Sequence, residues 1–566
     1  MPGRMDGDLY RDALAGRLTR REILRRGAAL GLSAPLIAAL LAACGGSAAT
    51  PTAAGGASGG SAAKPAGKPG GELVFGINLE PDNLDPAVTP FAVSHTVMMN
   101  IYDPLVWRGT DGKFYPGLAE KWDIGEDGKV YTFTLRQGVK FHDGTPFNAA
   151  AVKAFLDRVA DPATKSGFAA NLLGPYDHTE VVDDRTAKVV FKAAYAPFLD
   201  SASQAFLGIP SPTAVQKNPQ DYLRHPVGTG FMKFSEWVEK DYITLVRNPD
   251  YTWASPVFEH TGPAYLDKVT YRFYTDDPTR LAALEAGDVQ LIQPVPISDL
   301  KRIEGDAKYQ ATRRYNPGVP TILQMNTAKA PTDDPVVRQA LIQALDRKSL
   351  IDASTFGIAK PAYGPLFETT PGYSKAVESL YPFDLEKAKQ LLQQAGWAPG
   401  PDGIRAKGGQ RLALSWNVTP GSAYYDELIQ GQMRNAGVEV QLSRMTTAAV
   451  FQAIGQGTIN MASIGWISSD PVILTNLFHS KNINGGYTWS KYKDPQLDEL
   501  LDSGEKTIDE AKRADIYAQA QKLIMDKTLC VPVFQPPYSI GAHSKYQGIK
   551  QDIRNYVWLY DTFVQG

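Results

Sequence analysis

Between residues 411 and 478 the hydrophobic period switches four times between two residues and about 3.6. Leu412, Leu414, Trp416 and Val418 alternate as a strand with one buried face. Residues 423–436 carry Tyr424, Leu428 and Ile429 at helical spacing and stop at Gly437. Val438, Val440 and Leu442 alternate again, a short helix over 447–455 follows, and Ile459, Met461 and Ser463 lead a third strand to Trp466. A βαβαβ series requires a parallel sheet with right-handed crossovers, so the fold class is α/β. Such sheets bind ligands beyond the carboxyl ends of their strands. The rim so defined carries Trp416, Asn417, Val418 and Thr419 from one strand and Gly465, Trp466, Ile467, Ser468, Ser469 and Asp470 from another. Both segments set an aromatic ring beside small polar groups, the mixture a ligand pocket needs. Trp416, Asn417, Thr419, Trp466, Ile467, Ser468, Ser469 and Asp470 are therefore candidate ligand contacts, although either Trp taken alone serves equally well as core.

Strands and helices mix throughout the rest of the globular part. Leu73, Phe75 and Ile77 alternate, as do Tyr131, Phe133 and Leu135, and Val269, Tyr271 and Phe273. Asn148 caps a helix running to about Val159, and Asp334 before Pro335 is a cap with a first-turn proline. Asp384 starts another helix, with Ala388, Leu391, Leu392 and Ala395 inward and Gly396 as its stop. With 566 residues, 43% hydrophobic and 21% charged, the chain is globular and long enough for about three or four domains. Lys and Arg number 58 against 60 Asp and Glu, so no basic excess exists to neutralise a phosphate backbone, and nucleic acid is not an expected partner. The two cysteines, Cys44 and Cys530, exclude a disulfide scaffold, and no His has a partner at metal-ligand spacing. Neither a metal nor another cofactor is expected.

The first 43 residues read as an export signal. Residues 1–26 hold seven Arg against four acids, and the uncharged run Gly27–Leu41 is fifteen residues, short of the ~20 a bilayer span needs. Thr19-Arg20-Arg21-Glu22-Ile23-Leu24-Arg25 resembles the twin-arginine export motif. Leu41-Ala42-Ala43-Cys44 resembles a bacterial lipobox, which implies lipid attachment at Cys44 and an extracytoplasmic protein held on a membrane. Residues 45–70 are mostly Gly and Ala and read as a flexible linker spanning ~28 Å. Gly56-Ala57-Ser58-Gly59-Gly60 matches a hydrolase elbow in form, but lacks the strand and helix that motif needs.

The string NIYDPLVWRGTDGKFYPGLAEKWDIGEDGKVYTFTLRQGVKFHDGTPF, from Asn100, is similar to the peptide/nickel family of extracytoplasmic solute-binding proteins. So are GTGFMKFSEWVEKDYITLVRNPDYTW at 228–253, DDPVVRQALIQALDR at 333–347 and FDLEKAKQLLQQAGW at 383–397. The resemblance covers 71–566 in order. It implies a monomeric three-lobed clamshell of the type II periplasmic-binding-protein class. Lobe I would take 71–105, 200–318 and 531–566, lobe II 106–199 and lobe III 319–530. The hinge would lie near Gly318–Asn326 and Cys530–Phe534, and a solute would be swallowed between lobes I and III. Leu79 and Glu80 join the candidate ligand contacts. The partners implied are a peptide or small-molecule ligand, the membrane, and the permease of an ATP-binding-cassette importer.

His142-Asp143-Gly144 resembles a tight turn of the family, Asp346-Arg347 reads as an ion pair, and Cys530 as a buried small hydrophobe. One departure stands out. Peptide-binding members place an Asp three residues after the Gly-Trp tryptophan to hold the peptide's amino terminus, and here that position is Ser469. Asp470 follows, before Pro471 and the run Val472, Ile473, Leu474 and Leu477, so it reads as a helix cap or as a counter-ion for a ligand ammonium. Peptides, oligosaccharides, opines, glutathione-like compounds and metal chelates all remain open as ligands. No nucleophile–base motif is convincing, yet a secreted hydrolase and a surface chaperone that transports nothing also remain open at this stage.

Overall fold

The structure, a computed structural model, describes residues 67–419 and 425–565. The export signal, Cys44, most of the linker and Tyr424 lie outside the described residues. No helix among the described residues is long and apolar enough to cross a membrane.

Three large sheets organise the chain. The first has seven strands in the order Tyr309–Tyr315, Pro537–His543, Leu291–Gln293, Glu72–Ile77, Lys268–Phe273, Tyr242–Arg247 and Met232–Val238. Leu73, Phe75 and Ile77 alternate inward as expected and are each 2% exposed or less, contributing about 1.5–3 kcal/mol apiece. The second sheet is antiparallel, Ala119–Ile124, Val130–Leu135, Thr186–Phe191 and Tyr176–Asp183. The helix Ala149–Ala160 packs on it, and Asn148 caps that helix by accepting from the Ala151 N–H at 3.2 Å.

The third sheet holds the βαβαβ series. Its order is Lys360–Pro361, Cys530–Gln535, Gly318–Met325, Met461–Ile467, Ala413–Val418 and Glu439–Arg444. Ala413–Val418 runs parallel to both Glu439–Arg444 and Met461–Ile467, with helices Tyr425–Asn435 and Thr447–Gly455 between them. The two strand ends named from the sequence therefore share one rim. Helices Pro335–Gln343 and Leu385–Gln394 start at their expected caps, Asp334 and Asp384.

The chain passes between the first and third sheets at 316–317 and again at Pro536. Gly318–Met325 and Cys530–Gln535 are adjacent strands inside the third sheet, so passages defined by the sheets lie just outside the stretches expected for the hinge. Gly318 has φ 113°, and a Cβ there would stand 2.2 Å from the Trp466 carbonyl oxygen, so only glycine fits where the chain enters beside the rim.

Asp346 and Arg347 do not pair with each other. Asp346 instead caps the helix Arg347–Thr355 through the Ser349 N–H, and Arg347 Nε donates to the Pro532 carbonyl at 2.9 Å. An Asp at a helix start gains more from orphan N–H groups than from an adjacent side chain pointing elsewhere. Residues 141–145 form the expected turn, with Gly144 at φ 85°. Cys530 is fully buried, and that burial pushes its thiol pKa up.

Candidate functional site

A cavity of about 440 Å³ lies at the rim of the third sheet. One wall comes from 168–175, between two strands of the second sheet, and from 193–204, which follow its last strand in sequence; the other comes from 466–506. Trp466, Ile467 and Ser468 enter the wall because they end the strand Met461–Ile467. The ring of Phe168 stacks across the cavity on Trp466, with centroids 6.2 Å apart and planes at 25°. Tyr487 also meets Trp466, edge-on, with centroids 4.8 Å apart.

The floor is a buried charge cluster. Asp200, 4% exposed, ends the short helix Phe198–Ser201. Its Oδ1 accepts from Ser469 Oγ at 2.6 Å, from Arg554 Nη2 at 2.7 Å and from Arg108 Nη1. Arg108 also donates to the Ser469 carbonyl at 3.2 Å. Burial alone would raise the Asp200 pKa, but the Arg554 and Arg108 charges and the Ser469 hydroxyl outweigh it and hold the carboxyl below its usual range. Ser469 thus joins the 466–506 wall to the 168–204 wall, and the Ala196 N–H reinforces this by donating to the Glu505 carbonyl at 2.8 Å.

Asp470 is also spoken for. Arg513 binds it through both terminal nitrogens at 2.7 Å, and Oδ1 further accepts from the Val472 N–H at 2.8 Å. The helix itself covers Ile473–Phe478. Burial works against the Arg513 charge, and Asp470 more than restores it, so the guanidinium stays protonated. The capping role read from the sequence is seen at the turn before the helix, and the carboxylate in addition neutralises Arg513, a partner the sequence did not point to. Beyond Ser469 lies a second cavity of about 770 Å³, edged by Arg108, Lys113, Trp122 and Arg513.

The other sequence candidates lie elsewhere. Trp416 is fully buried in the core of the third sheet with Leu414 and Val418, because period two aims all three at the same face. Asn417 and Thr419 are half-buried on the neighbouring strand end and do not line the cavity. Leu79 is 46% exposed, and Glu80 accepts from Trp237 Nε1 at 2.9 Å and from the Lys240 N–H; neither lines the cavity. Sequence reasoning missed Phe168, Asp200 and Gln204. They stand more than 260 residues before the rim segment, and no local pattern marks them.

Comparison with known proteins fits this geometry. The profile of the bacterial extracellular solute-binding proteins, family 5 (middle region), matches residues 113–485. The glutathione-binding protein GsiB of Pectobacterium atrosepticum is 32% identical over 459 residues, 78% of this chain and 84% of that protein. Among solved structures, the periplasmic binding protein DppA of Helicobacter pylori, in complex with the peptide STSA, superposes with a TM-score of 0.74 at 27% identity, covering 88% of this chain and 99% of that one. AgaA of A. tumefaciens R10, bound to agropinic acid, gives 0.73 at 29% identity, covering 88% and 99%.

Proposed function

The chain belongs to the bacterial extracellular solute-binding proteins of family 5, and on that premise we propose that it captures a peptide or similar small solute in the 440 Å³ cavity and hands it to the permease of an ATP-binding-cassette importer. It is a binding protein rather than an enzyme, as its relatives are. One observation carries the choice of cavity: two walls remote in sequence meet around it and are joined by the Asp200–Ser469 hydrogen bond. A site built that way opens and closes as its walls part and meet. Its volume is in the range of small-solute pockets. The ligands of the relatives, glutathione, a short peptide and agropinic acid, set the scale of solute.

The working lobes are 71–105, 200–318 and 531–566 for lobe I, 106–199 for lobe II and 319–530 for lobe III. The sheets support moving the last boundary to Pro536, since Cys530–Gln535 pairs inside the third sheet. Lipid on Cys44 would tether this clamshell to the membrane beside its permease, with 45–66 as slack, since the linker expected to reach 70 is already docked at Gly70, whose N–H donates to the Tyr265 carbonyl at 2.8 Å. Changing Cys44→Ser should release the protein from the membrane fraction or leave the precursor uncut; an unchanged, processed, membrane-bound variant removes the anchor.

Equilibrium retention tests the function itself. Purified protein incubated with a small-molecule extract should hold a solute that is released at unchanged mass. Release of a cleaved product contradicts a receptor, and retention of nothing removes the capture reading.

A further inference from the structure

All the charged side chains around the cavity are matched, while three amides are left open. Asp470 is held by Arg513, and Asp200 by Arg108, Arg554 and Ser469. Asp552 takes the other end of Arg554 at 3.2 Å. At the mouth, Lys481 lies 3.6 Å from Asp502 and 3.5 Å from Glu505, and Lys506 lies 3.8 Å from Asp502. The five acids and five bases balance, and no acid is left over on the enclosed wall.

The amide side chains of Asn171, Gln204 and Asn476 also line the cavity. None of the three makes a side-chain hydrogen bond to protein among the described residues. Gln204 is only 8% exposed, so its donor and acceptor have the cavity as their outlet. Asn171 is exposed and Asn476 half-buried, so the amide groups meet water in the cavity, and a solute with hydroxyl or amide groups would replace that water with matched hydrogen bonds. A solute ammonium enclosed beside Asp200 and Asp470 would meet carboxylates that already carry arginines, and would lose its water with no free counter-ion to replace it. The Trp466 and Phe168 rings add a flat apolar surface.

We infer that the enclosed part of the solute is uncharged: a planar or apolar face carrying hydroxyl or amide groups, with no free ammonium at the rim. This rests on the reading of the cavity as the solute site. Ser469 fits it, since its hydroxyl donates to Asp200 and brings no charge to the rim.

The test uses the full globular chain, stripped of solute by mild denaturation and refolding, and four probes by titration calorimetry. These are glycyl-phenylalanine, its N-acetyl amide, cellobiose and glutathione, with a deproteinised culture extract as a fifth arm read by mass spectrometry. The expected result is that the blocked dipeptide or cellobiose binds at least ten-fold more tightly than free glycyl-phenylalanine and glutathione. The two neutral arms distinguish an amide-bearing from a hydroxyl-bearing source. Free dipeptide or glutathione binding as tightly as the neutral probes overturns the inference and leaves solute capture standing. If no probe binds, the compound retained from the extract decides: an uncharged enclosed moiety supports the inference and an ammonium overturns it. Retention of nothing from any arm overturns both this inference and the proposed function.

Discussion

At the scale of single residues, Asp470 tests whether its carboxylate serves the protein or the solute. Asp470→Asn keeps the turn acceptor but removes the charge that Arg513 needs. Leaving one member of a buried pair costs about 3–5 kcal/mol. The variant should therefore lose about 3 kcal/mol in urea denaturation, while the folded fraction binds solute within a few-fold of wild type. Replacing both partners, with Asp470→Asn and Arg513→Met, should recover part of that loss. Unchanged stability with a hundredfold loss of affinity would make Asp470 a ligand counter-ion after all. His142 gives a second residue-scale prediction. Its Nε2 donates to the Gly230 carbonyl at 2.9 Å, and its buried Nδ1 has no partner to receive a second proton. Burial lowers its pKa to about 4, against about 6.5 in an unfolded chain. Between those values the unfolded chain binds the proton and the folded one does not. The stability it contributes is thus complete above about pH 6.5 and is lost as pH falls towards 4, on the order of 3 kcal/mol in all. Denaturant midpoints at several pH values should show this slope in wild type and a shallower one in His142→Gln; equal slopes contradict it. The caps at Asn148, Asp334 and Asp384 were legible because capping is decided within three residues. The Asp470–Arg513 pair spans 43 residues and left no trace in the local pattern.

At the scale of elements, the βαβαβ run was readable because each period reports its own strand or helix, and parallel pairing follows from the helical crossovers. The seven-stranded sheet was not readable to the same depth: Glu72–Ile77 is two strands away from Pro537–His543, and nothing in either segment states that order. The rim shows the same division. Trp466 could be assigned to it from position, whereas Trp416 on the next strand turned inward, since placing a residue at a strand end does not say which face it takes. The segment after the strand Met461–Ile467 is the element that joins the walls. A hydrogen bond to a charged group is worth about 1.5–3 kcal/mol, so Ser469→Ala should weaken solute binding by roughly 10- to 100-fold. Under the proposed capture by closure the bond belongs to the closed form, so the loss should appear as faster dissociation in stopped-flow. An unchanged dissociation rate would mean that the Asp200–Ser469 contact does not hold the cavity shut.

At the scale of the whole molecule, the sequence motifs pointed to the family and to the parallel run of one sheet, while the floor of the cavity emerged only in three dimensions. Arg108, Asp200, Ser469 and Arg554 come from four distant parts of the chain and meet on one carboxylate oxygen and its neighbours. Such convergence follows from a chain that passes twice between its first and third sheets and can seat a buried charge only where several segments supply partners. The same cluster is the place where the walls would separate in an open form, because breaking it exposes groups that water can solvate. Small-angle X-ray scattering on the solute-stripped protein, before and after saturation with the solute it retains, measures this directly. The radius of gyration is expected to fall on saturation, with the stripped form the more extended; identical profiles under conditions where binding is independently proven would contradict capture by closure.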